Sequence, residues 1–377
     1  MNKVVIVSAA RTPQGILNGE LSGFAEQELA ALVLKAAVDR SALDPSELDE
    51  AVLGVAKQTS LPSNCARYAV LKAGLPRELS AYTVHRQSAS GLQAVANGFW
   101  NIHTGDAAAV LAGGAESMTN FPLEIRKARF AFDEQTPIVF HPIEAQIAGT
   151  QPKDKYGALT AESLAKAVAD GHGISDEAQR TYAERSLALA ETGKGGATLL
   201  TLNVKKKKTM VEVSQDGHYP EPALVARPGD GAAALVLMDE ARAKALGAPI
   251  LAELLDVCAA AGSPVGDGLT GADAALRLLS RGGLHGSDVA RWEVGELSAA
   301  QALAFRAGLI TVGVDQERAE DSMNPEGGFL ATGNPWGAGG ALLLARLLDG
   351  LKGTGKLGAV VAPSEGGQSM AALLRVF

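Results

Sequence analysis

Along the first 120 residues, short apolar runs alternate with stretches in which apolar residues recur every three to four positions. The runs Lys3–Val7, Ala51–Val55, Tyr82–Gln87 and Ala107–Gly113 have the length and β-branched content of strands. Between them, helices are predicted from about Gln27 to Ser41, near Asn64–Ala73 and near Leu92–Thr104. Strands alternating with helices of this length predict an α/β fold with a largely parallel sheet covered on both faces. From about Phe121 to Pro222 the pattern becomes irregular, with two helices near Ala161–Ala169 and Glu177–Glu191 and a basic run at Lys205–Lys208. A core strand returns at Gly231–Met238, and the α/β alternation then continues to the end. The expected organisation is a first half over 1–120 plus 223–247, an insertion over 121–222, and a second half over 248–377.

The two halves follow the same order. In the first, a turn, the helix Leu92–Thr104 and the strand Ala107–Leu111 lead to Gly113-Gly114-Ala115-Glu116-Ser117. In the second, Gly337–Gly340, the helix Ala341–Leu351 and the strand Ala359–Ala362 lead to Ser364-Glu365-Gly366-Gly367. Such a repeat indicates a duplicated unit. It would set Ser88 and the turn Asn334–Gly340 at equivalent helix N-termini facing one cleft.

Composition narrows the classes. The chain has 377 residues, 47% hydrophobic and 20% charged, which is ordinary for a folded globular protein and too long for one small core. A net charge of −8 argues against a nucleic-acid-binding surface. Cys65 and Cys258 are too few for a disulfide framework or a structural zinc site, and no metal ligands are assigned. No apolar run approaches the ~20 residues that cross a bilayer, and the opening strand lacks a signal-peptide pattern, so a cytoplasmic protein without a membrane partner is expected.

Candidate chemistry centres on Tyr82-Thr83-Val84-His85-Arg86-Gln87-Ser88-Ala89-Ser90-Gly91, which reads as strand, sharp turn, helix. Ser88 falls at the turn, where it either caps the helix or serves as a nucleophile beside free N–H groups. This stretch resembles the nucleophile segment V-N-x-x-C-x-S-G of the thiolase superfamily, with His85 for its Asn and Ser88 for its catalytic Cys. Val4–Pro13 resembles the family's opening strand, Gly113–Met118 its G-G-x-E-S/N-M segment, and Asn324–Gly337 its N-x-x-G-G-x-x-A-x-G-H-P-x-G segment. The resemblance spans nearly the whole chain. It implies a duplicated five-layered α-β-α-β-α core with an inserted loop domain, and a homodimer or higher oligomer.

It also implies where the chemistry lies. The histidine that activates the family's cysteine falls on Asn334, and the second, proton-shuttling cysteine on Ser364. The Asn that holds a water for one oxyanion hole falls on Gly295, beside Glu296, and the loop-domain histidine on Tyr156. The other oxyanion hole, formed by backbone N–H groups, falls on Ser88 and Gly366. A serine hydroxyl needs a positioned base, and the Asn334 amide cannot take up a proton. His85 and His141 are the candidate replacements, each of which could equally be a structural imidazole, and Glu296 and Glu116 could equally be hydrogen-bonded structural carboxylates. Lys205 and Lys206 fall where the family carries basic residues near the nucleotide of coenzyme A. The chain is short between Pro220 and Gly231, and the family's G-x-G-P-x-P-A is not found in Gly262–Leu269.

The resulting expectation is a divergent acyltransferase, with no bound cofactor, that handles an acyl-coenzyme A or acyl-carrier-protein thioester. It would hold the acyl group on Ser88 and pass it to a heteroatom nucleophile or water. The alternative is a catalytically silent subunit that binds acyl groups or an active homologous partner.

Overall fold

The computed structural model describes residues 1–125, 139–193, 195–206, 208–266 and 268–377. The first half opens with β1 (Val4–Arg11), the short β2 (Gly15–Ile16), α1 (Glu26–Ser41), β3 (Glu50–Gly54), α2 (Cys65–Lys72), β4 (Ser80–Val84), α3 (Ser90–Thr104) and β5 (Ala109–Ser117). Next come β6 (Glu124–Ile125), β7 (Val139–Phe140), α4 (Pro142–Gly149), α5 (Lys153–Tyr156), α6 (Ala161–His172), α7 (Asp176–Thr192) and the hairpin β8 (Leu202–Lys206) with β9 (Thr209–Val213). The chain returns to the core as β10 (Gly229–Asp239), α8 (Glu240–Leu246) and β11 (Ala252–Ala261). It closes with α9 (Thr270–Gly282), β12 (Val289–Val294), α10 (Ala299–Thr311), α11 (Gln316–Ser322), α12 (Phe329–Thr332), α13 (Trp336–Leu351), β13 (Leu357–Ser364) and β14 (Gln368–Val376).

The strands join in one continuous path, β12-β13-β14-β11-β1-β10-β5-β3-β4, with β2 added on β10. The expectation of a largely parallel sheet is corrected here. Only β3–β4, β3–β5 and β12–β13 run parallel, while β1, β10, β11 and β14 pair antiparallel with their neighbours. Their unbroken apolar runs come from burial on both faces, which does not depend on strand direction.

Packing divides the molecule into layers. Leu29, Val33 and Leu34 of α1, with Val70 of α2, cover one face of the first-half strands. Leu278 and Leu279 of α9 and Phe305 of α10 cover the second-half strands. Between them lie α3 and α13, whose Leu92, Val95, Phe99, Leu343 and Leu347 join one core with strands of both halves. α13 is buried almost all round, as a central helix must be. The five layers implied by the resemblance are therefore present. Where α3 crosses α13, a Cβ on Gly91 would stand 2.7 Å from the Gly337 carbonyl oxygen, and one on Gly340 would stand 2.6 Å from Leu92 Cβ. The two helices approach this closely because glycine occupies both contact points.

Candidate active site

Ser88 is buried at the end of the β4–α3 turn, immediately before the 15-residue helix α3. Gln87 ahead of it adopts φ +48°, a left-handed conformation that turns the chain sharply into the helix. The turn is held from both sides. Ser90 Oγ donates to the Gln87 carbonyl at 2.6 Å and accepts from the Arg86 N–H at 2.8 Å, and Ser364 Oγ donates to the Arg86 carbonyl at 3.1 Å.

The side chain that meets Ser88 is Glu365. Ser88 Oγ stands 3.1 and 2.9 Å from the two carboxylate oxygens of Glu365 and donates to that carboxylate, with the Ser88 N–H close enough to favour its charged form. Glu365 lies in the tight turn between β13 and β14, followed by Gly366 at φ +78° and Gly367 at φ +71°. Burial pushes its carboxyl above the usual carboxylate range, opposed by its own N–H and by the Ser88 hydroxyl and N–H.

A cavity of about 760 Å³ opens on this pair. Ile143 and Ile147 of α4, Leu164 and Val168 of α6, and Leu297 and Trp336 make much of its wall apolar. Its inner end carries Asn334, Ser364, Glu365 and Gly366, and Ser88 itself is not on the wall. Glu365 thus joins the cavity wall to the Ser88 hydroxyl. Asn334 is 4% exposed, its N–H donates to the Arg227 carbonyl at 2.8 Å, and its Oδ1 has no hydrogen-bond partner.

Two buried carboxylates hold the surrounding loops. Glu116 accepts from the N–H groups of Ala56, Lys57 and Gly337, tying the end of β3 to the start of α13; burial lifts its pKa to about 8 against these bonds. Glu296 accepts from Tyr182 Oη at 2.6 Å, Asn324 Nδ2 at 2.9 Å and the Leu330 N–H at 2.9 Å. Glu296, expected as a catalytic or structural carboxylate, is bonded within the core and fixes the segment that leads to Asn334.

The remaining expected residues separate into those at the cavity and those away from it. Asn334, Ser364 and Gly366 line it. Gly295 is buried behind it, its N–H bound to the Val361 carbonyl at 2.8 Å. His85 lies in a second hollow with Lys57, Gln87 and Gln146. Partial burial holds its pKa below the usual imidazole value, opposed by a bond to the Ala56 backbone and helped by the nearby Lys57 charge. His141 is exposed at the N-terminus of α4. Neither imidazole partners Ser88, because the turn does not fold back and Glu365 fills the place. Tyr156 is 39% exposed on α5 and lies off the cavity wall. Lys205 and Lys206 lie on the β8–β9 hairpin, with Lys206 paired to Glu20 at 2.5 Å, and neither reaches the cavity. Lys207 of that run lies outside the described residues, as does Asp267. Among the described residues no group of three or more His, Cys, Asp or Glu could hold a metal ion, and no helix is long and apolar enough to cross a membrane.

Comparison with known proteins shows the family. The family description "Thiolase, N-terminal domain" matches residues 4–227, and "Thiolase, C-terminal domain" matches residues 248–376. The chain belongs to the thiolase family. It is 32% identical to an acetyl-CoA acetyltransferase of Escherichia coli over 99% of both chains, and 33% identical to a beta-ketoadipyl-CoA thiolase of Pseudomonas knackmussii over 94% of both. Among solved structures, a Bacillus anthracis acetyl-CoA acetyltransferase superposes with a TM-score of 0.91 at 28% identity, covering 100% of this chain and 99% of that one. Two of these proteins are acetyltransferases by name and the third a thiolase. Within this thiolase fold, Glu365 is the residue the sequence reading missed. Its signal was its place: the turn expected to bring the Gly366 N–H to an acyl group on Ser88 carries a carboxylate one residue earlier.

Proposed function

We propose that this thiolase-family protein is an acyltransferase that takes an acyl group from a thioester onto Ser88 and passes it to a heteroatom acceptor. The observation that carries the reading is Ser88 Oγ, buried at the head of α3 beside a cavity large enough for an acyl thioester. The donor is an acyl-coenzyme A or acyl-carrier-protein thioester, in keeping with the CoA-utilising names of the relatives. The N–H groups of Ser88 and Gly366 would hold the carbonyl oxygen as it gains charge, worth about 10²–10³-fold per donor. Carbon–carbon condensation is not part of the proposal. Asn334 offers no base, and Gly295 has no side chain to position a water.

Incubation with acetyl-CoA followed by intact-mass analysis tests this. An acetyl adduct on the wild type that is absent from Ser88→Ala is expected; a wild type that stays unmodified, or an adduct that persists in the variant, would sink it. One observation favours the alternative of a silent subunit: the Glu365 carboxylate lies against the Ser88 hydroxyl, where an acyl group would have to sit. That alternative requires no turnover by the protein alone and activity only with an active homologue. A homodimer is proposed through the open edge of β4, beside which Leu61, Tyr68 and Leu71 are exposed; light scattering on the purified protein decides it.

A further inference from the structure

Resting on the assignment of Ser88 as acyl carrier, we infer that Glu365 is the catalytic base and acid of the site, doing directly what an imidazole does in the family pattern. Four observations carry this. Both carboxylate oxygens stand within hydrogen-bond reach of Ser88 Oγ, at 3.1 and 2.9 Å, the range a general base requires. Glu365 lines the cavity that a thioester would enter while bonding the Ser88 hydroxyl. Neither His85 nor His141 is bonded to Ser88, and Asn334 cannot accept a proton. Finally, among the described residues Glu365 pairs with no cation, and the Ser88 hydroxyl is the side chain bonded to its carboxylate.

The proton balance closes without any other group. As Ser88 Oγ bonds to the thioester carbonyl carbon, its proton passes to the Glu365 carboxylate. The carbonyl oxygen accepts from the Ser88 N–H as it gains charge. When the C–S bond breaks, the Glu365 carboxyl returns the proton to the departing thiolate, leaving an acyl ester on Ser88 and a free thiol. Deacylation reverses the order. An acceptor O–H or N–H gives its proton to Glu365 as it attacks the ester, and Glu365 hands that proton to Ser88 Oγ as it leaves. A carboxylate can take a proton from an attacking water, alcohol or amine as its acidity rises in the transition state. With Asn334 and Gly295 standing where the family pattern places the groups that stabilise an enolate, the acceptor of the proposal is a heteroatom nucleophile.

The test follows acetyl–Ser88 formation from acetyl-CoA by quenched-flow intact mass, with thiol release measured in parallel, from pH 5 to 9. Wild type, Glu365→Gln, Glu365→Asp, His85→Ala and Ser88→Ala are compared, each checked for folding by circular dichroism. The expected result is acylation slowed about 10²–10⁴-fold in Glu365→Gln, the usual worth of a general base, with the residual adduct still on Ser88. The wild-type rate should rise with pH through one ionisation that Glu365→Gln lacks. Glu365→Asp should restore part of the rate with a displaced midpoint, and His85→Ala should acylate as the wild type does. Acylation of Glu365→Gln at the wild-type rate or faster would overturn the inference, the faster case making the carboxylate a plug. An unchanged pH profile in Glu365→Gln would overturn it too, as would a 10²-fold loss in His85→Ala. A wild type that never acylates fails the Ser88 assignment itself, a distinguishable outcome.

Discussion

Gly340→Ala should separate the two central helices and slow chemistry at Ser88. The new Cβ would lie 2.6 Å from Leu92 Cβ and 2.7 Å from the Leu92 N, against an ordinary contact of 3.4 Å or more, so α3 and α13 must part by about 0.8 Å. The obstructing atoms belong to the backbone and to a Cβ, which cannot rotate away. Overpacking of this kind costs about 1–3 kcal/mol, against which alanine's better helix propensity returns up to about 1 kcal/mol, so a net loss of roughly 1–2 kcal/mol is expected. Gly171→Ala is the control. It is the same chemical change, near the end of α6, where a Cβ would meet nothing within 4 Å, and it should be neutral or stabilising by up to about 1 kcal/mol. Because Leu92 sits in the first turn of α3, four residues after Ser88, the displacement also misaligns Ser88 with Glu365. A misplacement near 1 Å can cost on the order of 10²-fold in rate. Urea unfolding midpoints and acetyl–Ser88 formation report the two effects. A Gly340→Ala protein as stable as Gly171→Ala would refute the close crossing, and one destabilised but fully reactive would refute the link to the site.

Further expectations concern buried charge. Arg11 is almost fully buried against Asp216, 2.6 Å away; burial raises the Asp216 carboxyl but the Arg11 charge outweighs it and holds the pKa low, so this pair contributes stability above the usual carboxylate range that is lost as pH falls through the lowered pKa. Asp216→Asn should cost about 3–5 kcal/mol at neutral pH by stranding a buried guanidinium, and urea midpoints of the variant should lack the wild type's acid-side decline. Glu116 has the opposite sign: with its pKa raised from 4.5 to about 8, its contribution is full below 4.5 and is lost as pH rises to about 8. Glu116→Gln, whose amide oxygen can still accept from Ala56 and Gly337, should flatten that decline; parallel pH profiles for the two proteins would contradict it. Tyr182→Phe removes the donor to Glu296 and should cost about 1–3 kcal/mol in urea unfolding, with no loss if the Glu296 network does not hold the 324–330 segment.

The alternation of apolar runs and 3.6-residue patterns was enough to read an α/β core, because burial leaves the same mark on any strand covered on both faces. Strand direction was not legible. β1 and β10 pair antiparallel across more than two hundred residues, and nothing local to Val4–Arg11 or Gly229–Asp239 encodes which partner arrives or from which end. The site divides in the same way. Ser88, Asn334, Ser364 and Gly366 converge as their motifs implied, since each motif fixes a backbone turn. Side chains that reach across the fold escaped: the search for a base looked three residues upstream, at His85, while the carboxylate that meets Ser88 lies 277 residues downstream. Tyr156, Lys205 and Lys206 failed for a related reason, because an aligned position fixes the element that carries a residue and not where its side chain ends.

Glu365 also bears on how such a site can favour the transition state. At rest its carboxylate lies against Ser88 and favours the approach of the Ser88 N–H, the donor an acyl oxygen needs. A thioester carbonyl is a weak acceptor and competes poorly with a carboxylate for that bond, so ground-state binding gains little from it. As Ser88 attacks, the substrate oxygen becomes an anion while Glu365 accepts a proton and becomes neutral. The preference of the N–H then reverses, at the moment when stabilisation raises the rate instead of merely tightening binding. One proton transfer thereby both activates the nucleophile and empties the oxyanion site. The signature is specific to this coupling: Glu365→Gln, which relieves the competition but cannot take the proton, should lower KM for acetyl-CoA together with kcat, whereas loss of a simple contact would raise KM.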